Sequence, residues 1–181
     1  MASLAEFGDL IDARLREGAA HTAAGALEFI LPLLDRVERL LCQVAAVRID
    51  AGFPEENLLA GLEARRTPYV ARVKNNAVLD RMAEPYLKRP PGRPPTELRE
   101  WFYELTYRAE SWSRPRRVVL VVQERADELF LHHFWLITNW SAEQMSAEAL
   151  LELYRQRGTA EGHMGELMDV LDPALSSSPR Q

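Results

Sequence analysis

The chain has 181 residues, 47% of them hydrophobic and 27% charged, enough to bury one sizeable core in one ordinary globular domain. Its single cysteine, Cys42, sits among leucines in a helix-like stretch and excludes a disulfide framework or Cys-based metal site; an acid-first N-terminus and the lack of a bilayer-length apolar run exclude a secretory signal and a membrane span, so a cytoplasmic protein is expected. The formal net charge of -5 is uneven: residues 65–117 hold 13 Lys+Arg against 6 Asp+Glu and the rest hold 9 against 21, so one basic stretch can meet a phosphate backbone or form a solvated, salt-bridged surface.

From Thr22 to about Val44, apolar residues recur at Ala26, Leu27, Ile30, Leu31, Leu34, Val37 and Leu41, which predicts a half-buried helix with Pro32 bending it. Val44 to Asp50 is short and apolar, as a buried strand ending at an Asp50-Ala51-Gly52 turn. Pro54 in the first turn, Glu55 and Glu56 against the dipole, and Leu58, Leu59 and Leu62 on the buried face predict a second helix that stops by Pro68. Tyr69 to Lys74 alternates as a second strand, and the crossover is long enough for parallel pairing. In such a βαβ unit, sites lie beyond the carboxyl ends of the strands, where Asp50 and Lys74-Asn75-Asn76 fall.

Residues 88–95, KRPPGRPP, carry prolines that forbid both helix and ladder and predict an exposed loop. Leu98 to Arg108 is rich in aromatics, and Arg117 to Glu124 and Leu129 to Thr138 are β-rich runs joined across Arg125, Ala126 and Asp127, which suggests a small antiparallel insertion. Ser141, Glu143 and Ser146 signal a helix start, and a long amphipathic helix is expected through Leu150, Tyr154 and Glu161 toward Leu171, with a disordered SSSPRQ tail after it. Tyr154, Arg157, Glu161 and Met168 are three, four and seven residues apart, so a phenol, a guanidinium and a carboxylate share one helical stripe. Arg157 and Glu161 can also simply pair on a wet surface. Gly158 costs about 1 kcal/mol inside a helix and is explained either by close approach of a ligand or by plain helix packing.

The run YRQRGTAEGHMGELMDVL resembles the glutamate-bearing helix of insertion-sequence DDE transposases with the Tyr-Arg-Glu-Lys signature. The run VRIDAGFPEENLLAGLEARRTPYVARVKNN is similar to the stretch around their second catalytic aspartate, and FGDLIDARLREGAAHTAAGALEFI to the segment upstream of it. The resemblance runs from about Phe7 to Leu171 and implies an RNase H-like α/β fold: a mixed sheet flanked by helices, a β-rich insertion before the final long helix, and the first strands missing. It further implies a catalytic core over residues 1–74 and 139–172, an insertion with the basic Pro-rich loop over 75–138, and a disordered tail over 173–181. By the same resemblance Asp50 and Glu161 are the second and third acidic ligands of Mg2+ or Mn2+, and Tyr154 and Arg157 contact DNA at terminal inverted repeats; a homo-oligomer in synapsis is compatible with it. Lys74, Arg89 and Arg93 are further candidates for phosphate contact.

Carboxylates suit this chemistry because strand transfer is an in-line displacement at phosphorus, and two hard divalent ions about 4 Å apart can clamp both the attacking and the leaving oxygen. Two departures bear on activity: the family's first aspartate lies on a strand upstream of the matched segment, where Asp9 and Asp12 do not stand, and Met168 replaces the signature lysine while Gly165 stands at a usually basic position. The expectation is a bacterial transposase copy, truncated or decayed and inactive alone. The alternative is a non-catalytic DNA-binding or subunit-binding remnant that modulates an intact enzyme. KRPPGRPP looks like the Gly-Arg-Pro core of AT-hook peptides as well as a linker. His132 and His133 are adjacent on a strand and point to opposite faces, and the four tryptophans read as insertion core more readily than as stacking platforms.

Overall fold

The computed structural model describes residues 2–3, 10–12, 25–93 and 95–156. Two short strands, β1 (Ala2–Ser3) and β2 (Leu10–Asp12), pair with each other. Helix α1 (Ala26–Leu40) follows, with Pro32 inside it, and Gly25 supplies the left-handed backbone (φ 73°) at its N-cap. The helix ends earlier than its apolar spacing predicts, so Val44 and Cys42 lie in the loop beyond it and Cys42 is exposed. The strand before Asp50 is shortened to β3 (Val47–Ile49). Helix α2 (Glu56–Ala64) is capped by the extended Glu55, which leaves Pro54 ahead of the helix and not in its first turn.

Strand β4 (Tyr69–Val73) pairs parallel to β3, as the crossover predicts. A helix that the sequence reading did not anticipate, α3 (Ala77–Ala83), continues as a 3-10 turn over Glu84–Tyr86. Its start is set by Asn76, whose side-chain oxygen accepts from the Val78 and Leu79 amides, each at 3.0 Å. Then come β5 (Arg99–Tyr107), β6 (Arg116–Glu124), β7 (His132–Thr138) and helix α4 (Ala147–Arg155). The helix expected to run to Leu171 is described to Arg155; the remainder of that expectation, and the tail, lie outside the described residues.

The five strands form one mixed sheet in the order β3-β4-β7-β6-β5, antiparallel everywhere except at β3-β4. The antiparallel strands therefore continue the sheet of the βαβ unit through the β4-β7 pair. Asn139 fixes that junction: its side-chain oxygen accepts from the Tyr69 amide and its nitrogen donates to the Thr67 carbonyl, both at 3.0 Å. Alternate residues of β6 feed two cores, because a central strand is buried on both faces. Val118, Leu120 and Val122 join Leu34, Leu59, Leu62 and Leu79 on the face covered by the first three helices. Val119 and Val121 join Val70, Leu136, Leu150 and Leu151 under α4. The arrangement is helices on both sides of a mixed sheet, consistent with an RNase H-like DDE fold. Trp112 and Trp135 are buried, whereas Trp101 and Trp140 are half-buried at core margins.

Gly61 on α2 faces Leu27 of α1, where an added Cβ would stand 2.5 Å from Leu27 Cδ1. Among the described residues no helix is long and apolar enough to cross a membrane.

Candidate functional site at the carboxyl edge of the sheet

Period-two alternation places Ile49 in the core beneath α1 and α2, and so turns its neighbours Arg48 and Asp50 toward the α4 side. Asp50 directly follows β3 and is half-buried. Its carboxylate accepts from the Ala51 amide at 2.6 Å while its carbonyl accepts from the Phe53 amide at 3.0 Å, so the Asp-Ala-Gly-Phe turn holds the acid at the sheet edge. In the parallel register Ile49 lies opposite Ala71, which brings Arg72 level with Asp50 on the neighbouring strand. The exposed Arg72 guanidinium rests 5.0 Å from the Phe134 ring centroid. Lys74, two residues further along, is also exposed.

The direction of α4 follows from its anchors. Ahead of the helix, the carbonyls of Trp140 and Ser141 accept from Arg117 Nη1, each at 3.2 Å, and Arg117 is level with Thr138 and Val70 at the start of β4. At its far end Arg155 pairs with Glu100 (3.0 Å from Nη1 to Oε2), which is level with Gln123 and His132, past the level at which β4 ends. Helix α4 therefore advances in the same sense as β4 and delivers its last turn to the edge where Asp50 and Lys74 lie. Arg48 links the two directly, donating from Nη1 to the Leu153 carbonyl at 3.2 Å across 105 residues of sequence. Next to that carbonyl, Tyr154 is half-buried and packs on the core under α4.

Arg157 and Glu161, with Gly158, Gly165 and Met168, lie outside the described residues, as does Asp9. Asp12 is ion-paired to Arg36 at 2.7 Å. Among the described residues no group of three or more His, Cys, Asp or Glu side chains could hold a metal ion. Of the candidate metal ligands, Asp50 is the one among the described residues; its carboxylate is a hard oxygen donor of the kind divalent ions such as Mg2+ take.

Arg89 and Arg93 belong to the Pro-rich loop. Arg93 is exposed, whereas Arg89 Nε lies 2.6 Å from the buried Glu124 carboxylate and its Nη2 donates to the Glu128 carbonyl at 2.8 Å. Glu124 ends β6, three strands across from Asp50 and, by register, five residues further along, so Arg89 lies at the same end of the sheet but about 20 Å from that acid at ordinary strand dimensions. His133 meets Asn75 at 3.2 Å, and His132 meets Glu128 on the other side. Two residues escaped the sequence reading, Arg48 and Arg72. Arg48 stands two before Asp50 and was findable by period two, but the register that sets Arg72 beside Asp50 has no local signal.

The family model described as Transposase DDE domain group 1 matches residues 4–173. No curated protein matches the chain.

Proposed function

The chain belongs to the DDE-domain transposases, and on that premise we propose that it works as a metal-dependent DNA-cutting and joining domain with Asp50 and Glu161 as paired metal ligands. Family membership makes transposition its function, a nuclease-type transposase its enzyme class and DNA its partner. The observation that carries the finer reading is the meeting of the Asp50 strand end with the outgoing end of α4 at one sheet edge, joined by the Arg48 to Leu153 hydrogen bond. Glu161 follows six residues after the described end of that helix.

In this reading Asp50 and Glu161 hold Mg2+ or Mn2+, and the chemistry such ions supply when bound is stabilisation of the charge that builds on the attacking and leaving oxygens. Arg157 grips a phosphate with its planar fork, Tyr154 donates to a phosphate oxygen or stacks on a base, and Lys74 and Arg93 meet the backbone. Arg89 contributes to DNA binding only by exchanging its Glu124 partner for a phosphate. The Tyr-Arg-Glu-Lys signature, the division into a core (1–74 and 139–172) and an insertion (75–138), and pairing of two copies on insertion-sequence ends belong to the same proposal.

Iron-directed backbone cleavage tests it. The full chain loaded with Fe2+ and treated with ascorbate and peroxide should be cut near both residue 50 and residue 161, and Asp50→Asn should abolish both cuts. Cuts at unrelated positions, or none at residue 161, sink the paired-ligand assignment. Met168 at the signature lysine favours a second reading, a non-catalytic DNA-binding or subunit-binding remnant. On that reading the purified chain binds terminal-repeat DNA with Mg2+ but does not nick or join it; nicking by the chain alone removes it.

A further inference from the structure

Strand β3 is three residues long and, among the described residues, is hydrogen-bonded to β4. The middle residue of this strand is Arg48, a half-buried arginine whose side chain reaches the last turn of α4. The guanidinium stays ionised, so its hydrogen bond to the Leu153 carbonyl is charge-assisted and stronger than a neutral pair. Asp50 lies two residues after Arg48 on the same side of the sheet, and Tyr154 one residue after Leu153. One side chain therefore spans the strand that carries Asp50 and the helix that carries Tyr154.

We infer that Arg48 is a positioning residue: it holds the described end of α4, with Tyr154, against the strand that delivers Asp50. The consequence for metal binding rests on the function proposed above, while the positioning itself does not, and two measurements separate them. The first places nitroxide labels at Asn57→Cys and Glu152→Cys, both exposed, in a Cys42→Ser background of the full chain and reads their separation by double electron-electron resonance. Arg48→Met should shift or broaden the distance distribution, and Arg48→Lys, which keeps one N–H for one carbonyl, should restore it. An unchanged distribution in Arg48→Met overturns the inference.

The second measurement titrates Mn2+ against the same chains by the loss of the free-ion electron resonance signal. Arg48→Met should weaken binding by about tenfold to a hundredfold, the range seen when a partner that orients a ligand is removed, with Arg48→Lys closer to the parent. A role confined to stability would move the urea midpoint and leave the Mn2+ affinity of the folded chain unaltered, which also counts against the inference. If the parent binds no Mn2+ while Arg48→Met shifts the label distance, the metal-centre reading falls and the positioning role stands. Should Arg48→Met fail to fold, Arg48→Gln, which keeps an N–H donor without the charge, carries both measurements.

Discussion

Arg116 shows how one buried charge is kept tolerable. Its side chain is 3% exposed and sits 2.6 Å from Glu56 and 2.7 Å from Glu63, with its guanidinium 5.2 Å from the Trp112 ring centroid. Arg114 and the Tyr69 hydroxyl complete the shell of Glu63, at 2.6 and 2.8 Å. The Arg116 hydrogen bond holds Glu56 down from its ordinary 4.5 to about 2. Burial pushes Glu63 the other way, but the hydrogen bonds from Arg116, Arg114 and Tyr69 outweigh it and hold this carboxyl below its usual range. Burial and the Glu63 carboxylate push the Tyr69 phenol up. Because the folded carboxyl values lie below the unfolded ones, their stabilisation is full above about pH 4.5 and is lost as the pH falls toward about 2. Arg116→Met should destabilise the chain by about 3 kcal/mol at pH 7 in urea unfolding, since it removes the cation from the nearly buried Glu63, which keeps Arg114 and Tyr69, and from the half-buried Glu56. It should also flatten the loss of stability between pH 4.5 and 2; a variant with the parent's acid profile would show that the network does not set it.

At the scale of the element, the caps decide where helices begin. Ser146 accepts from the Ala149 amide at 3.2 Å and opens α4, while one turn earlier the Ser141 hydroxyl accepts from the Gln144 amide at 3.3 Å and the Gln144 side chain from the Ser141 amide at 2.9 Å. Ser146→Ala should cost about 1 kcal/mol in urea unfolding and Ser146→Asp close to nothing, because the carboxylate also caps and favours the positive end of the helix. Equal midpoints for Ser146→Ala and the parent would show that packing of Leu150 and Leu151 alone fixes the helix start. The Ser146 signal is local and was legible in the sequence. Asn76 carries the same kind of signal, yet α3 was missed because its seven residues are too short for apolar periodicity to stand out beside the polar Lys-Asn-Asn segment.

At the scale of the molecule, charge in sequence and charge on the surface differ. Of the 13 basic residues in the 65–117 stretch, Arg65, Arg89, Arg99, Arg114, Arg116 and Arg117 lie within ion-pair distance of described carboxylates. Arg117 donates two hydrogen bonds to the Glu104 carboxylate, at 2.8 and 2.6 Å. If the stretch is the DNA-binding surface, the logarithm of the DNA association constant should fall against the logarithm of salt with a slope no steeper than about -6, where 13 free cations would give about -12. A slope near the steeper value, measured by fluorescence anisotropy on duplex DNA, would mean that phosphates displace these carboxylates.

The sequence by itself determined the βαβ unit, the cap at Ser146, the last two strands and the family, because periodicity, capping residues and motif spacing are carried by neighbours along the chain. Strand order, the union of the antiparallel strands with β4, the sequestering of basic residues by distant acids, and the bond from Arg48 to Leu153 were decided by tertiary structure alone. These depend on which strand edges meet and on side chains as much as 105 residues apart, and nothing in a local window encodes such partners.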